Sequence, residues 1–266
     1  MQRFVNDPDM IVDDMLKGYV KCHKDILHIS EKNDHVVVKN RQRKHKVGIV
    51  SGGGSGHEPC FLGYVGEHML DAVAVGEVFS SPPATAFHQA FLEADTGAGV
   101  ACLFGNYAGD NMNVKMAVQM AAMQQVNVRY VTANDDIASA PLDEKEKRHG
   151  IAGSLFMWKI GCAKAELGDA AQAAVNETRS LCVGLTPCSI PAVGHANFEI
   201  QEGTMEYGIG HHGEPGLIVE SLKSAKEIAA VLCEKIEADL KLKHGEEISV
   251  IVSGLGGTPI MELYVL

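Results

Sequence analysis

Positive charge is scarce in this 266-residue chain: 23 Lys and Arg stand against 34 Asp and Glu, a net charge of −11. Such a balance argues against nucleic acid or an anionic membrane as partner. No apolar run approaches the ~20 residues a membrane helix needs. The first residues, MQRFVNDPDMIVDDMLKGYV, carry acids where a signal peptide has its apolar core. A soluble cytoplasmic protein is expected. CxxC pairs are absent as well. The seven cysteines (Cys22, Cys60, Cys102, Cys162, Cys182, Cys188 and Cys233) are scattered and odd in number. They read as reduced thiols in a reducing compartment, and no zinc or other metal site is expected. What is present, 46% hydrophobic and 21% charged residues, is the composition of a globular protein of one large or two ordinary domains.

Strand-like and helix-like segments alternate along the chain. Asp7-Pro8 reads as cap and first position of a helix from about Asp9 to His23. Val36 to Lys39 is a short β-branched run, and the basic cluster Arg41–Lys46 reads as a solvated turn. Strands are expected at Val47–Ser51, Ala72–Val75, Gly99–Phe104 and Val126–Thr132. Helices are expected at Pro83–Ala94 and Met112–Gln125, with one or two more in Gly153–Leu181. Met116, Met120 and Met123 recur at helical spacing and read as core. A long amphipathic helix at Ser221–Leu242 and a strand at Ile248–Val252 follow. The expected fold is α/β, with a mostly parallel sheet flanked by helices over residues 1–184. A second, smaller α/β domain is expected over 185–266. The closing IMELYVL looks like the start of a helix, so a truncated C-terminus is expected.

In parallel sheets, ligands sit beyond the carboxyl ends of the strands. The segments SGGGSGHEP, GEVFSSPP, GNYAGDNMN and ANDDIASAP should therefore share one edge. The first, Ser51–Pro59, resembles a phosphate cradle but lacks the lysine of a P-loop and the spacing of a dinucleotide motif. Pro59 suits the start of a helix. Its glycines alone are compatible with a plain turn. His57 adds an imidazole able to give or take a proton near neutral pH. Asp110 reads both as a base toward a hydroxyl and as a cap for the helix through Met112. His211 and His212, if in a strand, would point to opposite faces, with one toward a cleft.

Six segments occur in order: SGGGSGHEP, GEVFSSP, GNYAGD, GIAG, MEYGIGHHGEPG and SGLGGTPIMELY. Together they resemble the K subunit, the substrate-binding part, of dihydroxyacetone kinases, from Phe4-Val5-Asn6 to Leu263-Tyr264. The resemblance implies that His212 attacks the ketone carbon and holds the ketose as a hemiaminal. It implies that Asp110 is the base on the phosphorylated hydroxyl and that His57 assists. Gly54, Ser55, Gly56, His57, Gly105, Asp110 and His212 would contact the sugar. No cofactor is expected on this chain. ADP or ATP with Mg2+ would sit on a separate L subunit, in phosphotransferase-system versions with an M subunit, and the chain would form a homodimer. Departures are Gly105, where members often have lysine, His211, where an apolar residue is common, and the early end. The GNYAGD and HGIAG forms resemble relatives acting on four-carbon ketoses. A kinase subunit for erythrulose and a ketose-sensing coactivator are the alternatives, and Asp110 favours a kinase over a sensor.

Overall fold

The structure is a computed structural model that describes residues 4–168, 180–184, 189–190, 195–196 and 198–266. The second helix expected within Gly153–Leu181 and Cys188 lie outside the described residues, as does the expected domain start at Leu185. Asp7 accepts from the Asp9 amide and Pro8 opens a 3-10 turn, as expected of a cap, before α1, Ile11–Cys22. Next come the antiparallel pair β1, Leu27–Ser30, and β2, Asn33–Lys39. Strand β3, Gly48–Ser55, β4, Ala72–Val78, and helix α2, Ala84–Ala94, follow. Strand β5, Val100–Gly105, helix α3, Ala108–Met123, β6, Val128–Ala133, and α4, Ser154–Glu166, complete this part. The sheet order is β1-β2-β4-β3-β5-β6, parallel across β4-β3-β5-β6 and antiparallel at β1 and β2.

Alternation along the strands feeds two cores. Ile49, Val73, Val75 and Leu103 face α1 and α4 around the buried Trp158. Val50, Ala72, Ala74, Cys102 and Phe104 face α2 and α3 around Phe87 and Phe91. Both faces are therefore covered, as a parallel sheet requires.

The glycine run is not the loop that its composition suggests. Strand β3 continues through Ser55, because its pairing with β4 persists from Gly52↔Ala74 to Gly54↔Gly76. The ring of Phe61 lies where a Cβ on Gly53 would go, so only glycine lets that aromatic cover the sheet. The loop begins at Gly56, whose φ of +96° suits glycine. No α-helix starts at Pro59. Turns and one 3-10 turn, Leu62–Tyr64, carry the chain to β4, because Phe61, Leu62, Tyr64 and Val65 all pack into the same core.

Two more expectations are corrected here. Met116 and Met123 are exposed, 51% and 79%, and only Met120 packs partly inward. The buried face of α3 is Asp110, Val114, Ala117 and Ala121, whose small side chains let it lie against α2. Lys46 is not solvated: it is buried and paired with Asp71.

The rest of the described chain holds β7, Val183–Gly184, the pair β8, Ser189–Ile190, and β9, His195–Ala196, then β10, Thr204–Tyr207, and β11, Ile218–Ser221. Strands β11-β10-β7 form a small antiparallel sheet. Helix α5, Ala225–Leu240, begins after Ser221 rather than at it, because Ser224 and Glu227 form a reciprocal capping box. Helix α6, Ile260–Leu263, closes the chain. Ile248–Val252 is not a strand. No ladder partner takes its backbone among the described residues, and Ile248 and Val250 are 58% and 77% exposed. Among the described residues no helix is long and apolar enough to cross a membrane.

Candidate functional site

The carboxyl ends of β3, β4, β5 and β6 deliver the four polar segments to one edge, on both sides of β3, where the chain direction around the sheet reverses. His57 follows β3 and is buried at 3% exposure. Phe79 follows β4 with a φ of 54°, an unusual backbone state for a non-glycine residue, and its ring lies 5.0 Å from that of His57. Ser81, two residues on, donates a 2.7 Å hydrogen bond to Asp110 Oδ2.

Asp110 is not the helix cap. Helix α3 starts earlier, at Ala108, with Tyr107 in the cap position, and Asp110 lies in the first turn with its side chain buried. Burial pushes its carboxyl up to about 6, against the opposing pull of the Ser81 hydroxyl and of His212. Its Oδ1 is buried and has no protein partner.

Across the edge, a turn brings in the paired histidines. They do not lie in a strand pointing apart. Gly210 N bonds to Glu214 O at 2.9 Å and Gly213 N to Gly210 O at 3.1 Å, with Gly213 at φ +85°. This turn aims both rings at the same place. The His211 and His212 rings lie 4.7 and 5.5 Å from that of His57, and 5.6 and 4.8 Å from that of Tyr107. Tyr107 OH accepts from the His211 amide at 3.4 Å.

Glu214 orients His212. Its Oε2 accepts from the His212 amide at 3.0 Å, and its Oε1 lies 3.3 Å from His212 Nδ1. Burial would raise the Glu214 carboxyl, but the hydrogen bonds with His212 outweigh it and hold it at about 2. An ionised Glu214 can only accept, so it favours the tautomer with the proton on Nδ1 and the lone pair on Nε2. His57 is held at about 3 by burial and by the neighbouring His212, so it is a neutral imidazole at physiological pH.

The fourth strand end supplies a support. Asp135 accepts from the amides of Ile151 and Gly153 and from the Ser180 hydroxyl, fixing the path from β6 to α4. Arg148 reaches α5 through a two-pronged pair with Asp239 at 3.0 and 2.9 Å. Between these anchors His149 stacks on Tyr107, ring centroids 4.8 Å apart.

The expected positions thus divide. His57, His212 and the adjoining Asp110 come together. Gly54 and Ser55 belong to the end of β3, and the Ser55 hydroxyl is spent on the Gly76 carbonyl at 2.7 Å. The Gly56 amide donates to the Glu58 carboxylate. Gly105 ends β5, packed against Gly150 and the Tyr107 ring. Sequence reasoning missed Tyr107, His149, Ser81 and Glu214 as site residues. Ser81 and Tyr107 lay within quoted segments after strands, which was the available signal. His149 follows β6 by a longer path; it opens the HGIAG form, but nothing local marked its side chain as part of the site. Among the described residues no group of His, Cys, Asp and Glu is arranged to hold a metal ion. The six described cysteines are free thiols.

Residues 17–266 match the family model described as the Dak1 domain. The chain is 40% identical to the dihydroxyacetone-binding subunit DhaK of PTS-dependent dihydroxyacetone kinase 1 of Listeria innocua, over all of this chain and 82% of that protein. It is 35% identical to the L-erythrulose kinase of Pectobacterium atrosepticum, over all of this chain and 47% of that one. It superposes on the crystal structure of the dihydroxyacetone kinase of C. freundii with a TM-score of 0.82 and 32% identity. That overlap covers 90% of this chain and 45% of the other.

Proposed function

The chain belongs to the Dak1 domain family, and from that premise we propose that it is the substrate-binding subunit of a ketose kinase, holding dihydroxyacetone or a close homologue for phosphorylation. The observation that carries the reading is the meeting of three segments distant in sequence. His57, Asp110 and His212 converge at one sheet edge, with His57 Nε2 and Asp110 Oδ1 buried and unpartnered. Buried polar atoms without partners at a sheet edge are what a small polyhydroxy ligand would satisfy.

The chemistry follows from the tautomer. His212 Nε2 adds to the ketone carbon, forming a C–N bond, and the carbonyl electron pair moves to oxygen, which takes up a proton. The imidazolium so formed sits against ionised Glu214, which steadies it or receives its Nδ1 proton; loss of that proton leaves the neutral hemiaminal. The covalent bond fixes orientation for a substrate with few groups to grip. It also discriminates against glycerol, which has no carbonyl. Asp110, ionised above about 6, then accepts the proton of the hydroxyl that attacks the phosphoryl group. Neutral His57 hydrogen-bonds that hydroxyl. The phosphoryl group comes from ATP with Mg2+ on a separate L-type subunit, where, in a phosphotransferase-system version, an M subunit rephosphorylates the ADP left behind, and the chain works as a homodimer.

Intact-mass spectrometry of the protein with dihydroxyacetone tests this. An increment of one dihydroxyacetone that is absent with glycerol is expected, and it should vanish in His212→Ala. Retention of the covalent sugar in that variant would overturn the assignment of His212.

A further inference from the structure

The turn that carries His212 leaves the small antiparallel sheet, whereas His57 and Asp110 stand on the parallel one. Covalent capture needs the three in register, so the two sheets must be tied. Gly208 follows the end of β10 and precedes that turn. It is buried, its φ is +81°, and its amide donates to the Cys182 carbonyl at 2.7 Å. A Cβ on it would fall 2.6 Å from the Ala138 Cβ and 2.8 Å from the Ala138 carbonyl oxygen. Glycine is thus required twice, by backbone state and by close approach. Ala138 is itself buried, in the segment that follows β6.

Asp136 holds Ala138 in place. Its Oδ1 accepts from the Ala138 amide at 3.0 Å. Its own amide donates to the His149 carbonyl at 2.9 Å, and its carbonyl accepts from the Ser139 hydroxyl at 2.8 Å. The same Ser139 oxygen accepts from the His149 amide at 2.8 Å. These bonds close residues 136–139 into a clasp that fixes the Ala138 backbone. The Asp136 side chain is fully buried, its Oδ2 has no partner, and the chemistry proposed above does not use it. Burying a carboxyl with one bare oxygen is costly, which points to a role for the other. Burial pushes this carboxyl up to about 7. What it gives Ala138 is an acceptor oxygen, which a neutral amide side chain also supplies.

We propose that Asp136 is a positioning residue for covalent capture: through Ala138 it forms the seat on which Gly208 rests, and so sets where the turn carrying His212 stands relative to His57 and Asp110. This rests on the reading of His212 as the nucleophile. Neither Asp136 nor Gly208 is assigned a contact with the ketose. A reacting group misplaced by about 1 Å can lose about 10²-fold. The coupling also runs in reverse. If loosening the seat weakens ketose binding, a bound ketose tightens the seat by the same factor.

Calorimetric titration with dihydroxyacetone, alongside intact mass for the covalent increment, tests this without a partner subunit. Asp136→Ala should bind the ketose about ten-fold more weakly or worse. Asp136→Asn, which keeps an acceptor for the Ala138 amide, should recover at least part of the loss. Gly208→Ala should also lose affinity, and more than Gly203→Ala. Gly203 has a similar φ of +77° with nothing within 4 Å of an added Cβ, so its variant carries the backbone strain without the contact. Melting curves establish which variants are folded. Where they are not, amide exchange in the unaltered protein decides: saturating dihydroxyacetone should slow exchange in peptides covering residues 136–139. Wild-type affinity in a folded Asp136→Ala, equal losses in the alanine and asparagine variants, or exchange at 136–139 unmoved by bound ketose would overturn the proposal while leaving the ketose reading intact. Failure of the wild-type protein to bind dihydroxyacetone would overturn both.

Discussion

Two buried carboxylates stand at opposite ends of the same parallel sheet. Asp71 precedes β4, at the amino end, and is 1% exposed. Lys39 and Lys46 each approach it to 2.6 Å, and the Ile49 amide donates to it at 2.8 Å. Asp110 follows β5, at the carboxyl end, and is 3% exposed. It has one hydroxyl from Ser81 and a bare second oxygen. Burial is almost equal, but partners are not. The first carboxylate ties β2, β3 and β4 together. The second is left under-satisfied, which is how a fold keeps a group reactive. The paired carboxylate thus stands at one end of the sheet, and the one to which the proposed chemistry is assigned stands at the other.

Substitutions at the two ends should separate these roles. Asp110→Asn should lower phosphoryl transfer, measured with a matched nucleotide-carrying subunit, by about 10²–10⁴-fold. It should leave the melting temperature at or above wild type. The sign follows from linkage: the folded carboxyl titrates near 6, above the ordinary value of about 4, so the folded state binds more protons in that window. Ionisation of Asp110 therefore costs stability as pH rises through it, and a neutral amide escapes the cost. A marked fall in melting temperature would show that Asp110 is structural after all.

Asp71→Ala should do the reverse. Removing the shared partner of two buried lysines should cost about 3–5 kcal/mol in denaturant unfolding. An effect confined to ketose binding, with stability unchanged, would break the comparison. Next in size is Ser81→Ala. Loss of its hydrogen bond should cost about 1 kcal/mol and raise the Asp110 carboxyl further, since that bond lowers it. The acid limb of the pH–rate profile, expected near 6 in the wild type, should move to higher pH. A limb that stays in place would assign it to another group. The smallest effect is expected at Met116→Gln on the exposed face of α3. Stability should stay within about 0.5 kcal/mol, the ordinary range for a surface substitution.

The site was legible in part. His57, Asp110 and His212 stood out because each follows an apolar strand or lies in a glycine-marked turn, and such positions are readable from local chemistry. Tyr107, inside the same segment as Asp110, was not singled out, because nothing local distinguishes a tyrosine that lies beside three histidines from one in a core. His149 could not be placed, since its position depends on Asp135 and Arg148 holding a loop in contact with α4 and α5. The methionine stripe misled for a related reason. Helical periodicity identifies a face, but the neighbouring helix decides which face is covered, and here the alanines of α3 won. Likewise Lys46 looked like part of a solvated cluster until Asp71, 25 residues on, turned it inward.

Local pattern was sufficient for the strand–helix alternation, the parallel sheet and the edge at which the polar segments gather. Each depends on apolar periodicity and turn chemistry within a few residues. The tertiary structure alone decided that SGGGS is strand rather than loop, that His211 and His212 share one target, and which of two buried aspartates is neutralised and which is left bare. Those outcomes depend on what a distant segment brings within hydrogen-bond reach, and that distance is not written in the spacing of residues along the chain.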